Sequence, residues 1–194
     1  MRHDHVIEGS AYRLRPANDL DADFIIALRT DPALTRFLPR VQASRENQLA
    51  WFASYYKKPG DYYFVIERRE GDVAEGTVGL YDVGKEPAGA EWGRWVLRPG
   101  SLAAVESALL IYQFGFVSLA LKHIYCRSFA DNLSVLSIHD RSGARQRGVL
   151  PNYFMRDGQT VDAVEHVLDA GQWPSLQANF GALAKRTASL LMRK

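Results

Sequence analysis

The chain has 194 residues, 47% hydrophobic and 24% charged, with 24 Lys and Arg against 22 Asp and Glu. That length suits one domain with a sizeable core, or a domain with an appendage. Charges this evenly balanced and interspersed exclude the basic footprint of a nucleic-acid binder, no apolar run is long enough to span a membrane, and the single cysteine, Cys126, excludes an intrachain disulfide framework.

The start, MRHDHVIEGS, has charges where a signal peptide needs an apolar stretch, and with the lone cysteine this reads as a cytoplasmic protein. Residues 1–10, including His3 and His5, read as a flexible, solvated tail. Tyr12-Arg13-Leu14-Arg15 alternates and stops at Pro16, as a short strand would. Asn18 or Asp19 can cap a helix over about Leu20–Arg29, with Leu20, Phe24, Ala27 and Leu28 as its apolar stripe. Pro32 and Pro39 interrupt the chain. Ser44 opens a second helix, along which Leu49, Phe52 and Tyr56 recur until Pro59-Gly60.

Three strands follow, at Tyr62–Arg68, Gly76–Val83 and Ala90–Leu97, separated by turn-rich Arg69–Glu75 and Gly84–Gly89, so an antiparallel meander is expected. A helix over about Leu102–Ser118 carries Val105, Leu109, Tyr112 and Phe116 on one stripe. Next come a strand at His123–Phe129, Asp131-Asn132, and a helix over about Ser134–Ser142 ended by Gly143. Arg147–Met155 and Thr160–Leu168 read as a hairpin. Beyond Trp173-Pro174 the pattern is helical, with Leu176, Phe180, Leu183 and Leu190 as docking residues. The expected fold is α/β (α+β): one mixed, mostly antiparallel sheet flanked by helices, with its domain over 11–168 and a helical extension over 169–194.

The stretch EWGRWVLRPGSLAA, Glu91–Ala104, has the chemistry of an anion site: a strand, a tight turn at Gly100, then a helix start. First-turn N–H groups lack helical partners, and Ser101, Ala103 and Ala104 are short enough to let a phosphate reach them, with Arg98 adding charge. The same residues also suit a plain strand–helix corner in which the alanines pack on the sheet.

The order of elements over about Tyr12–Leu168 resembles the GNAT superfamily of acyl-CoA-dependent N-acetyltransferases, in particular its ribosomal-protein and amino-sugar acetyltransferase branch. The family's loop, Gln/Arg-x-x-Gly-x-Gly/Ala, falls on Arg98, Ser101 and Ala103, with serine in place of the first glycine; a serine hydroxyl can also donate to phosphate. A second signature, Asn followed by a helix ending in Gly, falls on Asn132 and Gly143.

The resemblance implies acetyl-CoA as cosubstrate, with no metal. Strand Ala90–Leu97 would splay from His123–Phe129 to admit the pantetheine arm. The backbone of Trp95, Val96 and Leu97 would pair with that arm, and one N–H there would polarise the thioester carbonyl. Arg98, Gly100, Ser101, Leu102, Ala103 and Ala104 would hold the pyrophosphate, and Asn132 would touch the arm. Glu91 stands where family members often carry an acid and is the candidate base. Alternation puts it on one face with Gly93, Trp95 and Leu97, so Trp95 could desolvate it; a solvated strand-end glutamate paired with Arg94 or Arg127 is the other reading. Tyr81 and Asp82 could relay the proton through water. His139 stands seven residues beyond Asn132, where much of the family has a tyrosine acid, and as an acid it would give a limb near pH ~6.5; a surface histidine is the alternative. Cys126 reads as a buried strand residue, not a nucleophile.

For the acceptor, Trp51, Tyr55, Tyr62, Tyr63 and Trp92 offer aromatic faces, with Trp51, Tyr81 and Trp92 taken as substrate contacts. Arg141, Arg145 and Arg147 could meet the 3′-phosphate of CoA or phosphates on the acceptor. The reading is a small-molecule amine such as a nucleotide-linked amino sugar. The alternatives are a protein N-terminus, a polyamine or amino-bearing antibiotic, or an acyl-CoA sensor without catalysis. The terminal helix could cover its own domain or a second subunit, and a homodimer is the expectation.

Overall fold

The computed structural model describes residues 2–38, 44–85 and 89–192. Pro39 and the middle of the expected turn Gly84–Gly89, residues 86–88, lie outside the described residues. In chain order the strands are β1 (Ile7–Glu8), β2 (Tyr12–Pro16), β3 (Tyr62–Arg68), β4 (Val73–Tyr81), β5 (Gly89–Leu97), β6 (His123–Phe129), β7 (Arg145–Arg156) and β8 (Gln159–Asp169). The helices are α1 (Ala22–Thr30), α2 (Arg45–Tyr55), α3 (Ala104–Gln113), α4 (Leu133–Arg141) and α5 (Trp173–Leu191). The strands form one mixed sheet in the order β1-β2-β3-β4-β5-β6-β8-β7. Every neighbouring pair is antiparallel except β5–β6, which α3 joins as a parallel crossover.

Period-two burial fills both faces of the sheet. Leu14, Phe64, Ile66, Leu80 and Trp92 point into a core shared with α3 and α5, while Tyr63 and Val65 pack with Ile25, Phe52 and Tyr55 of α1 and α2. Removing these side chains from water is the main stabilising term of the fold.

Four expectations are corrected. The start is not a loose tail: Ile7 pairs with Leu14, and the rings of His3 and His5 pack on Tyr62, Phe64 and Phe114. Leu20 is 87% exposed because Asn18 caps a 3₁₀ turn at Asp19–Asp21, and α1 begins only after it. Strand β4 begins at Val73, so Glu75 lies in the sheet and not in a turn. The terminal helix docks on its own domain, one of its two readings, through Leu176, Phe180, Ala184 and Ala188, but Leu183 and Leu190, expected to dock with them, stay exposed.

Candidate active site

Strands β5 and β6 pair only at Gly89–His123, Ala90–Ile124 and Glu91–Tyr125. Beyond Glu91 they part, and the β6-facing edge of β5 has no strand on it. Two cavities occupy the gap. One, of about 240 Å³, lies between Glu91–Trp95 on β5 and Cys126–Phe129 on β6, with Asn132 and His139 on its wall. The other, of about 360 Å³, lies between Trp95, Val96, Leu97 and Ala104 on one bank and Asn132, Val135 and Ile138 on the other. An extended ligand with its own amides can take the place of the absent strand, because backbone N–H and C=O groups there need partners.

A bulge shapes this edge. Thr77 opposes Val96 but Gly79 opposes Gly93, so β5 carries one extra residue, with Arg94 at φ +50° and its carbonyl accepting from Thr77 Oγ1 at 3.1 Å. The inserted residue breaks the expected alternation. Trp95 joins Trp92 on the α3 side, ring centroids 5.3 Å apart, and its indole N–H donates to Ser107 Oγ at 3.0 Å. Trp95 therefore does not shield Glu91.

The chain leaves β5 through Arg98 and turns at Gly100, whose φ of +81° favours glycine. The side chain of Ala103 is fully buried in the core, so the packing role expected of a plain corner holds for that residue. The Ser101 hydroxyl is already engaged, donating to Glu75 Oε2 at 2.7 Å and accepting from the Ala103 N–H at 3.1 Å. Leu102 is exposed and Arg98 projects to solvent. Across the gap, Asn132 does not cap α4 with its side chain; its Oδ1 accepts from Ser134 Oγ at 3.0 Å, and the residue lines both cavities.

Glu91 sits at the vertex of the splay, 8% exposed. Tyr81 donates to its Oε1 at 3.3 Å and Arg127 to its Oε2 at 2.9 Å. Burial pushes its carboxyl above the usual carboxylate range despite the lowering pull of Arg127 and Tyr81. Arg127 also donates to Glu165 at 2.8 Å, and Arg147 holds the other oxygen of Glu165. Arg147 is thus fixed in an ion-pair chain, and Arg141 ends α4 at the opposite end from Asn132.

His139 is not a surface residue. It is buried against Trp92, Cys126, Ser128 and His166, and burial pushes its imidazole down to about 3, with His166 adding to the shift. The imidazolium acid and its limb near pH 6.5 are therefore corrected: His139 is held as neutral imidazole. Cys126 lies 3.4–3.5 Å from the His139 ring nitrogens, yet burial pushes the thiol up while the imidazole goes down, so the pair stays uncharged and makes no thiolate nucleophile.

The shift has a consequence for stability. Between about pH 6.5 and 3 the unfolded chain holds a proton on His139 that the folded chain does not, so stability is complete above pH 6.5 and falls as pH drops. The melting temperature of the wild type should decline more steeply from pH 6.5 to 4.5 than that of His139→Gln. Parallel declines would contradict the buried neutral ring.

A third cavity, of about 450 Å³, opens on the α1–α2 side of the sheet. Arg29, Trp51, Tyr63 and Arg94 line it, and Arg29 and Arg94 also line the cleft that holds Glu91. Arg94 pairs with both oxygens of Asp61, at 2.5 and 3.0 Å. Trp51 stacks on Tyr55 at 5.3 Å and lines this cavity. Trp92 does not belong there: it is 2% exposed, packed on Trp95, Tyr112 and His139. Tyr62 faces Phe114 on the other side of the sheet. Among the described residues no cluster suited to a metal ion occurs, and no helix is long and apolar enough to cross a membrane. Arg127 pairs with Glu91 as one reading of the sequence had it, whereas Arg29, Ser128 and Glu75 went unnoticed as site residues because their spacing carries no signal; long-range pairing brings them in.

The acetyltransferase (GNAT) domain family matches residues 12–145. An uncharacterized N-acetyltransferase, YoaA of Bacillus subtilis (strain 168), is 27% identical over 165 residues, which is 81% of this chain and 92% of that protein. Among solved structures, apo FdhC, described as a nucleotide-linked sugar GNAT, superposes with a TM-score of 0.79 at 25% identity, covering 94% of this chain and 99% of that one. Spermidine N-acetyltransferase from Vibrio cholerae, solved with CoA and spermine, gives 0.77 at 18% identity over 86% of this chain and 99% of its own, a likeness of fold.

Proposed function

The chain belongs to the GNAT family of acetyl-CoA-dependent N-acetyltransferases, and from that premise we propose that its acceptor is a small amine carrying an anionic group, such as a nucleotide-linked amino sugar. One observation carries this reading: the 450 Å³ cavity that shares Arg29 and Arg94 with the Glu91 cleft is lined by those two guanidinium groups and by the aromatic rings of Trp51 and Tyr63, with no acidic residue on its described lining. Asp61 already holds Arg94, so an incoming anion would share that guanidinium or meet Arg29, and flat rings suit a base or sugar. A polyamine would need the opposite charge. FdhC, the nucleotide-linked sugar GNAT at 25% identity, supports the same reading.

In this reading the pantetheine arm lies along the open edge of β5 over Trp95–Leu97, and the diphosphate rests at the helix start near Ser101–Ala104. Glu91 takes a proton from the acceptor ammonium, directly or through one water, because only the neutral amine attacks. The nitrogen then forms its bond to the acetyl carbon, a β5 backbone N–H steadies the carbonyl oxygen as it gains charge, and the carbon–sulfur bond breaks. The thiolate leaves, and the second proton that the nitrogen sheds as it becomes an amide goes to the sulfur. Ser128 and neutral His139, 3.4 Å apart on the same wall, are the donors nearest that step.

The test is acetyl-CoA-dependent thiol release with a nucleoside-diphosphate amino sugar, the same amino sugar without its nucleotide, spermidine, and a peptide with a free N-terminus. The first should show the highest kcat/KM by at least tenfold; a preference for spermidine or the peptide would overturn the assignment. Trp51→Ala should raise the KM for the nucleotide sugar about tenfold, as loss of ~1.4 kcal/mol of stacking does, and leave the affinity for coenzyme A unchanged.

A further inference from the structure

We infer that Glu75 and Ser101 act together as a latch under the diphosphate loop, so that the serine at this loop position positions the loop and does not bind phosphate. The inference rests on the assignment of acetyl-CoA to that loop. Glu75 projects from β4 and is almost wholly buried. Ser101 and Tyr12 both donate to its Oε2, at 2.7 and 3.2 Å, and Arg68 forms an ion pair with Oε1 at 3.2 Å. Tyr12 is pushed up to about 12, chiefly by burial, with the Glu75 charge adding to it.

The Ser101 hydroxyl has one proton, and it goes to Glu75. One of its lone pairs takes the Ala103 N–H, which is one of the donors that open α3. The hydroxyl therefore cannot also donate to a phosphate without breaking a charge-assisted bond inside the protein. Two ends of the loop are fixed to β4: Ser101 through the Glu75 carboxylate, and the Arg98 N–H through the Glu75 carbonyl at 2.9 Å. The turn at Gly100 lies between these two anchors. Their combined effect is to hold the helix start in one orientation before the ligand arrives, which lowers the ordering cost of binding. Arg68 offsets the Glu75 charge, so a carboxylate under an anion site is tolerated.

A double-mutant cycle read by calorimetry with coenzyme A tests this. Ser101→Ala should raise Kd about fivefold to tenfold, the range expected for losing one such bond. Ser101→Thr, which keeps the hydroxyl, should bind within about twofold of wild type. Ser101→Gly should bind as poorly as Ser101→Ala, although glycine is the residue the loop pattern ordinarily carries there. Glu75→Leu, which keeps the bulk but cannot accept from Ser101, should weaken binding by a similar factor, and adding Ser101→Ala to it should cost nothing more. If Glu75→Leu does not fold, Glu75→Asp, which withdraws the carboxylate from Ser101, serves in its place. A Ser101→Ala loss that persists in full on the Glu75 variant would mean that the hydroxyl meets the phosphate itself and would overturn the latch alone. Failure of the wild type to bind coenzyme A would overturn the loop assignment, and the latch with it.

Discussion

Glu91→Gln should lower kcat for acetyl transfer by about 10²–10⁴-fold, the range that general-base catalysis supplies, while the melting temperature moves by only a few degrees. The carboxylate sits where the parallel pairing of β5 and β6 ends, on the wall of the cleft, and the cavity with Arg29 and Trp51 adjoins it. Glutamine keeps the shape and can still accept from Tyr81 and Arg127, but it cannot take a proton from an ammonium. Burial outweighs Arg127 in setting the Glu91 pKa, so kcat/KM should rise with pH through a limb above the ordinary glutamate range, and activity should be lost as pH falls through it. Arg127→Gln removes the cation that favours the ionised form, so it should move the same limb to higher pH. If Glu91 were only the ion-pair partner of Arg127, Glu91→Gln would cost stability and leave kcat within a fewfold of wild type. That result, from initial rates at saturating acetyl-CoA and a thermal melt of the same sample, would sink the role.

What could be read from the chain was what is local. Strand, turn and helix over Glu91–Ala104 follow from adjacent residues: aromatic and β-branched side chains, a glycine at positive φ, then alanines, and the fold places them as that pattern implies. The splay of β5 from β6 followed from family resemblance, not from spacing. The bulge at Arg94 left no trace in the sequence, because arginine carries no bias toward φ +50° and the bond from Thr77 that supports it comes from another strand. Losing that one residue of register was enough to misplace Trp95 and to misjudge what desolvates Glu91. His139 failed for a different reason. Helical periodicity cannot tell whether a short helix near a strand end lies on the surface, and the contacts that bury His139 come from Trp92, Cys126 and His166, far away in sequence. Glu75 was hidden by a boundary error of three residues, which placed it in a turn and kept its contact with Ser101 out of view.

Trp92→Ala should destabilise the protein by about 3–5 kcal/mol, the usual cost of emptying a large aromatic site, and lower the melting temperature by roughly 6–20 °C for a chain of this size. The sequence placed Trp92 among the acceptor contacts, but the structure turns its ring to the α3 side of β5, against Trp95, Tyr112 and His139. Its ring is the wall between the core and the cleft, so its loss removes packing on one side and support for His139 on the other. Trp92→Phe keeps most of the volume and should cost well under half as much. At a temperature where both variants remain folded, the acceptor KM should stay within about threefold of wild type for Trp92→Phe, whereas Trp51→Ala raises it about tenfold and, because Trp51 is only partly buried, lowers the melt less than Trp92→Ala does. The two tryptophans thus separate on two axes, one read by calorimetry and one by substrate titration. A Trp92→Ala protein that melts within a few degrees of wild type and has lost affinity for the acceptor would reverse the assignment and return Trp92 to the substrate side.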